Sequence, residues 1–142
     1  MGFISAITSG FQKYADFSGR ASRSEYWWWT VFYLLVTLTA VMLDAILFPA
    51  STRSQSYFGV LPAIATIALF LPGLTVFVRR LHDTDRSGWW YFIALIPLIG
   101  AIVLLVFLVS SGTPGANRFG PPPTGSGSSP GYDVLPARPG PM

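Results

Sequence analysis

Residues 60–78 read VLPAIATIALFLPGLTVFV, nineteen consecutive positions without a charged side chain. At a rise of about 1.5 Å per residue, roughly 20 apolar residues are needed to cross the ~30 Å hydrocarbon core of a bilayer. Two more stretches of this kind occur, Tyr26–Phe48 with the single charge of Asp44, and Trp89–Val109 with none. The sequence therefore predicts an all-α membrane protein with three transmembrane helices, at about residues 26–48, 60–78 and 89–109.

The composition excludes a soluble enzyme with a large core. Of the 142 residues, 51% are hydrophobic and only 11% are charged, whereas an average soluble domain has about 25% charged residues. Cysteine is absent, which excludes a disulfide scaffold and a Cys-ligated zinc site. The formal net charge is +3. In a membrane protein this basic excess indicates anionic lipid headgroups as partners rather than nucleic acid.

The two ends of the chain differ from the apolar stretches. Residues 2–17 place apolar side chains on one helical face and polar ones on the other, the pattern of an amphipathic helix in the membrane interface. That apolar face contains Phe3, Ile4, Ile7, Phe11, Tyr14 and Ala15. Residues 110–142 contain eight Pro and seven Gly, which oppose a regular helix. We expect a membrane domain over residues 1–120 and a disordered tail over residues 121–142.

The distribution of basic residues predicts the orientation in the membrane. With three spans, six basic residues lie on the side of the amino terminus, namely Lys13, Arg20, Arg23, Arg79, Arg80 and Arg86. Three lie on the other side, namely Arg53, Arg118 and Arg138. Because Lys and Arg are enriched in cytoplasmic loops, the amino terminus is predicted in the cytoplasm and the carboxyl-terminal tail outside.

Polar chemistry is concentrated in the segment Arg79–Gly88, which has three Arg, one His and two Asp. Three readings remain open for it. Arginines bind phosphate through a bidentate fork; alternatively, the segment is an ion-paired loop that fixes the helix spacing, with Glu25 pairing with Arg79 or Arg80. The third reading is an acid–base or metal site at His82 and Asp83. One His with two nearby carboxylates does not fill a metal site, so no metal, cofactor or catalytic residue is predicted.

A similar pattern precedes the first and third predicted spans. Arg23-Ser24 and Arg86-Ser87 each stand two residues before an aromatic triplet. Such a pattern is typical of an aromatic belt at the headgroup boundary, and it is also compatible with a paired site for a lipid or a protein partner. The candidate binding residues are Arg20, Arg23, Glu25, Arg79, Arg80, His82, Asp83, Asp85, Arg86, Trp89 and Trp90.

Four further residues have predicted local roles. Ser24 is placed to cap the first predicted span. Asp44 lies 18 residues beyond Tyr26, near the far end of that span, where a solvated carboxylate is expected. Pro72 and Pro97 lie inside predicted spans and are expected to kink them.

Three blocks of sequence carry a family resemblance. They are residues 11–27 (FQKYADFSGRASRSEYW), 79–90 (RRLHDTDRSGWW) and 112–121 (GTPGANRFGP). Together they resemble domain of unknown function 805, the YhaH-like bacterial inner-membrane proteins. The resemblance implies a small protein of the bacterial cytoplasmic membrane with several spans. It implies no reaction, substrate or cofactor.

These observations favour a non-enzymatic accessory or scaffold protein that binds anionic lipid or a membrane partner through its Arg-rich segments. A small oligomeric transporter or channel, with Asp44 in its path, is the first alternative. A membrane enzyme acting on a lipid phosphate through the Arg79–Asp83 segment is the second. Because each helix keeps an apolar outer side, a second copy of the chain or another membrane protein is an expected partner.

Overall fold

The computed structural model describes residues 1–48 and 59–123, and in those ranges the chain is helical without a β-strand. The α-helices are α1 (Phe3–Gln12), α2 (Arg23–Leu47), α3 (Val60–Asp83) and α4 (Ile99–Val109). A 3-10 helix, Gly88–Leu95, precedes α4. The predicted all-α class is confirmed. Of the predicted disordered tail, residues 124–142 lie outside the described residues.

Helices α2 and α3 are the two elements long and apolar enough to cross a membrane, judged by length and composition among the described residues. Their 25 and 24 residues correspond to ~36 Å at 1.5 Å per residue. They run antiparallel, because Glu25 near the start of α2 contacts Arg79 near the end of α3, and Asp44 near the end of α2 contacts Leu61 near the start of α3. Trp29, Leu69 and Val76 form the buried core between them.

The roles predicted for Ser24, near the start of α2, and for Asp44, near its end, both differ from those that the structure shows. The N-cap of α2 is Ser22, whose hydroxyl accepts a hydrogen bond from the Glu25 N–H, so the assignment of Ser24 was wrong. Asp44 is only 2% exposed, which contradicts the predicted solvated carboxylate. Its Oδ1 accepts the Leu61 N–H at 3.0 Å, so it satisfies a free donor in the first turn of α3. The residue on which a transport role would depend therefore joins two helices.

The prediction of one continuous helix over residues 89–109 was wrong, because this segment forms a hairpin. The 3-10 helix and α4 run side by side in opposite directions, with the Trp90 and Phe107 rings 5.4 Å apart. Each arm is ~16 Å long at the rise of its helix type, about half of the ~30 Å hydrocarbon thickness. The chain beyond α4 therefore returns to the end of the bundle that contains Arg20, whereas the sequence placed these residues on opposite sides.

The reversal follows from the residues at the tip of the hairpin. Pro97 disfavours a helical conformation of the residue before it, and Ile96 is extended, with φ −86° and ψ 107°. Leu98 has a positive φ of 66°, which turns the chain back. At Gly100 the missing side chain lets the other arm approach, since a Cβ there would lie 1.8 Å from the Ile93 carbonyl oxygen. Pro97 therefore ends a helical segment rather than kinking one.

Helix α1 packs at the end of the bundle where α2 begins. It is shorter than the predicted 2–17 helix. Gly10 allows its close approach, because a Cβ there would lie 2.3 Å from the Trp29 ring. The segment after α1 supplies a hydrogen bond that α3 lacks at Pro72. Pro72 has no N–H to donate to the Ala68 carbonyl, and the Tyr14 hydroxyl donates to that oxygen instead, at 2.7 Å.

Candidate functional site

A buried ionic cluster lies where the start of α2 meets the end of α3. We define the ionic cluster as Arg20, Glu25, Arg79, Arg80 and Asp83, whose exposed fractions range from 0 to 4%. Charged side chains are almost never fully buried unless they are paired. The cluster therefore needs nearly complete internal pairing, and its contacts show where that pairing comes from.

Asp83 is the centre of the cluster. One carboxylate oxygen accepts from Arg20 Nε at 2.9 Å, and the other accepts from Arg80 Nη1 at 2.5 Å. A single carboxylate thus bridges an arginine that precedes α2 and an arginine in the last turn of α3. Removing one partner from such a buried pair leaves an uncompensated charge.

Glu25 is the second acid of the cluster. Its Oε1 accepts from Arg79 Nη1 at 3.1 Å and from the Ser9 hydroxyl of α1 at 2.7 Å. Arg79 also donates to the Arg20 carbonyl oxygen at 3.1 Å. The predicted pairing of Glu25 with an arginine of the Arg79–Asp83 segment is confirmed, and the pair connects α1, α2 and α3.

Backbone carbonyl groups provide further acceptors for Arg20 and Arg80, whereas Arg79 Nε has no hydrogen-bond partner among the described residues. The cluster has three guanidinium groups and two carboxylates, an excess of one positive charge. Arg20 donates to the carbonyl oxygens of Thr113 and Gly115, both at 2.6 Å. Arg80 donates to the Leu108 oxygen at 3.0 Å and to the Ser110 oxygen, at the carboxyl end of α4 where a cation is favoured by the helix dipole.

Residues 112–120, which we name the C-terminal loop, close over the end of α3. The Thr113 N–H donates to the Asp83 carbonyl oxygen at 2.7 Å, and Asn117 Nδ2 donates to the His82 carbonyl oxygen at 2.9 Å. These bonds satisfy acceptors that the end of a helix leaves free. Gly112 is required for the approach, since a Cβ there would lie 2.1 Å from an Asp83 carboxylate oxygen.

His82 lies between the C-terminal loop and the segment before α2. Its ring stacks on Phe119 with centroids 3.8 Å apart and planes within 3° of parallel. Its Nδ1 lies 3.1 Å from the Gly19 carbonyl oxygen. Across residues 1–48 and 59–123, no three His, Cys, Asp or Glu side chains come together as a possible metal site.

The remaining candidate residues lie outside the cluster. Arg23, Trp89 and Trp90 are exposed, and Arg86 is partly exposed with its guanidinium 3.9 Å from the centre of the Phe107 ring. Asp85 is exposed and pairs with Arg118 at 3.3 Å. The structure therefore divides the candidate residues into a buried group and an outer group.

Sequence reasoning missed the part played by the C-terminal loop. In the sequence, Gly112, Thr113 and Asn117 carried only a family resemblance, yet they fit against Asp83 and cap α3. The available signal was the third block, GTPGANRFGP, which lies beyond the last apolar stretch and contains the polar residues Thr113, Asn117 and Arg118. The carbonyl oxygens of this block that accept from Arg20 could not be predicted, because every residue carries a backbone carbonyl.

Comparison with known proteins identifies the family. The family model described as "Protein of unknown function (DUF805)" matches residues 14–121. Inner membrane protein YhaH of Escherichia coli strain K12 is 44% identical over 112 residues, which are 79% of this chain and 90% of that protein. Inner membrane protein YhaI of the same strain is 43% identical over 115 residues, 81% of this chain and 92% of the relative. No solved structure gives a significant match.

The matched range contains the whole ionic cluster, the hairpin and the C-terminal loop. The three blocks that carried the resemblance are thus the segments that meet around Asp83. The chain belongs to the DUF805 family.

Proposed function

We propose that this chain is a non-enzymatic accessory protein of the bacterial cytoplasmic membrane that binds anionic lipid headgroups. The relatives' names, inner membrane protein YhaH and YhaI, support the location. The ionic cluster holds the helices and the C-terminal loop together. The outer group, with Arg23 and Arg86 next to exposed tryptophans, provides the lipid contacts.

The observation that carries this proposal is the division of the arginines. Arg20, Arg79 and Arg80 donate to acceptors of the chain itself, whereas Arg23 is exposed beside Trp27 and Trp28. Arginine side chains at the bilayer surface attract anionic lipids by about 1 kcal/mol each. Tryptophan rings prefer the boundary between headgroups and acyl chains.

Replacing Arg23 or Arg86 by Gln is expected to weaken the retention of phosphatidylglycerol about fivefold for each arginine. Retention of phosphatidylcholine is expected to stay unchanged, because its headgroup has no net charge. Native mass spectrometry from a mild detergent, after incubation with each lipid, measures both.

The double variant Asp85→Asn with Arg118→Gln is the matched control for these variants. It removes a surface ion pair at the same end of the molecule without changing the net charge, and we expect wild-type retention. Equal retention of the two lipids by the wild type would contradict the headgroup proposal.

We further propose that both ends of the membrane domain face the cytoplasm, with two spans and one hairpin that enters from the cytoplasmic side. Seven of the nine basic residues then lie at one end of the bundle, Lys13, Arg20, Arg23, Arg79, Arg80, Arg86 and Arg118. Arg53 belongs to the segment between α2 and α3. This asymmetry is stronger than that of the three-span arrangement and follows the positive-inside rule.

Single cysteines test this orientation directly, because the chain contains no cysteine. In spheroplasts, a membrane-impermeant maleimide is expected to label Ser51→Cys, while Gln12→Cys and Ala116→Cys react only after permeabilisation. Gln12 and Ala116 are exposed, so lack of labelling reports the membrane barrier rather than burial. Labelling of Ala116→Cys in intact spheroplasts would contradict this orientation and support a third span.

A further inference from the structure

A groove of about 280 Å³ runs between α2 and α3 on one side of the bundle. Its walls are mainly aromatic and include Tyr26, Tyr33, Phe77 and Tyr91. The rings of Tyr26, Phe77 and Tyr91 lie in edge contact at one end of it. This end lies one turn from Arg23 and Arg80, at the level where the proposed headgroup contacts occur.

Trp29 gives this groove an unused hydrogen-bond donor. Its side chain is buried, with 3% exposed, and its Nε1 has no hydrogen-bond partner among the described residues. Buried polar groups almost always have a partner, and leaving one unpaired is unfavourable. An unpaired indole N–H in the wall of a groove therefore indicates an acceptor that belongs to another molecule.

The contacts of two glycines show how the Trp29 indole is oriented. The six-membered ring of Trp29 faces α1, where a Cβ on Gly10 would lie 2.3 Å from it. The opposite edge, with Nε1, faces α3, where a Cβ on Gly73 would lie 3.4 Å away. Trp29 and Gly73 both line the groove, so a side chain at Gly73 would lie beside the N–H at the groove wall.

The depth of Trp29 matches one part of a membrane lipid. Six residues of helix separate it from Arg23, which is ~9 Å along the axis. If Arg23 contacts lipid phosphate, Trp29 lies just inside the polar layer, where the ester linkages of glycerolipids join the acyl chains. An ester carbonyl oxygen is an acceptor, and the acyl chain beyond it suits the apolar walls.

We propose that the groove holds one acyl chain of an anionic glycerophospholipid, with an ester carbonyl of that lipid accepting the hydrogen bond of Trp29 Nε1. This inference rests on the proposed headgroup contacts at Arg23 and Arg86, which place the lipid at this end of the groove. The site would then recognise two parts of the lipid, its charged headgroup through the arginines and its ester linkage through Trp29.

Three variants separate these elements. Gly73→Leu places a side chain in the groove against Trp29, at a helical position where Leu is a better helix former than Gly. Trp29→Phe removes the N–H and keeps an aromatic ring. Ala65→Leu is the matched control, since it adds a similar side chain to a groove between α2 and α3 that Trp29 does not line.

The probes are phosphatidylglycerol and phosphatidylcholine as diesters, and phosphatidylglycerol as a diether with chains of equal length. Native mass spectrometry is expected to show about fivefold stronger retention of the diester than of the diether by the wild type, the change that one lost hydrogen bond produces. Trp29→Phe is expected to retain both equally. Gly73→Leu is expected to lose every diester, and Ala65→Leu to behave as the wild type.

Each failure has its own signature. Wild-type retention of the diesters by Gly73→Leu would overturn the groove proposal, and equal retention of diester and diether by the wild type would overturn the role of Trp29. A dimer that disappears only in Gly73→Leu would show that a second copy fills the groove. Loss of the preference for phosphatidylglycerol over phosphatidylcholine, with the Gly73→Leu effect intact, would remove the headgroup proposal alone.

Discussion

Replacing Asp83 by Asn is expected to lower the free energy of unfolding by about 3–5 kcal/mol, the cost of breaking a buried ion pair on one side. Asp83 is 3% exposed and binds both Arg20 and Arg80. Asn has nearly the same shape, so the loss reports charge rather than packing. Two buried guanidinium groups would remain without their shared carboxylate.

Unfolding in mixed micelles with increasing dodecyl sulfate, followed by circular dichroism, measures this loss. Asp85→Asn is the control, because Asp85 is half-exposed and its pair with Arg118 lies at the surface, where such pairs contribute about 0–1 kcal/mol. Asn also tolerates the positive φ of 56° at this position. Equal losses in the two variants would mean that Asp83 does not hold the cluster together.

Replacing Gly100 by Ala is expected to destabilise the chain by about 3 kcal/mol, the upper part of the range for overpacked interiors. The new Cβ would meet the Ile93 carbonyl oxygen and carbon, at 1.8 and 2.7 Å. Both are backbone atoms, so no side-chain rotation relieves the contact. The two arms of the hairpin must separate.

Gly73→Ala is the matched control in the same unfolding experiment. Its Cβ would meet only Trp29 Nε1, at 3.4 Å, and Ala is about 1 kcal/mol more favourable than Gly inside a helix. We therefore expect Gly73→Ala to be neutral or stabilising. A stable Gly100→Ala variant would argue against the hairpin and for a continuous helix in this segment.

The two spans α2 and α3 and the ion pair between Glu25 and Arg79 were predictable because their signals are local in the sequence. An apolar run of about 20 residues is the direct requirement for crossing a bilayer, and α2 and α3 satisfy it. Glu25 and Arg79 stand at the ends of consecutive apolar runs. A short connection makes those helices antiparallel, so the two charges meet at one end.

The hairpin was not predictable by the same argument. Hydropathy measures whether a segment is compatible with lipid, and it does not indicate the direction of the chain within that segment. The sequence shows the helix-breaking residues Pro97 and Gly100 within this stretch. Both are compatible with a kinked span and with a reversal of the chain. What distinguishes the two is the positive φ of Leu98 and the contact of Gly100 with Ile93, neither of which is local in sequence.

The candidate site was predictable in its charged members and not in its acceptors. Arg20, Arg79 and Arg80 were conspicuous because charge is rare in this chain. Their partners include the carbonyl groups of Thr113, Gly115 and Leu108, and every residue carries a carbonyl. The same reason applies to Asp44, whose partner is the Leu61 N–H.

The C-terminal loop has a consequence for biosynthesis. Arg20 is synthesised 93 residues before Thr113, whose carbonyl it binds. The carboxyl end of α3 is synthesised 30 residues before the same loop. Until translation passes residue 113, Arg20 has Asp83 as a partner, but its remaining donors and the free carbonyl groups at the end of α3 have only water, lipid or chaperones. The membrane bundle is therefore completed by the last-made part of the range that matches the family, and a ribosome that stops before it releases a chain in which Arg20 lacks its carbonyl acceptors.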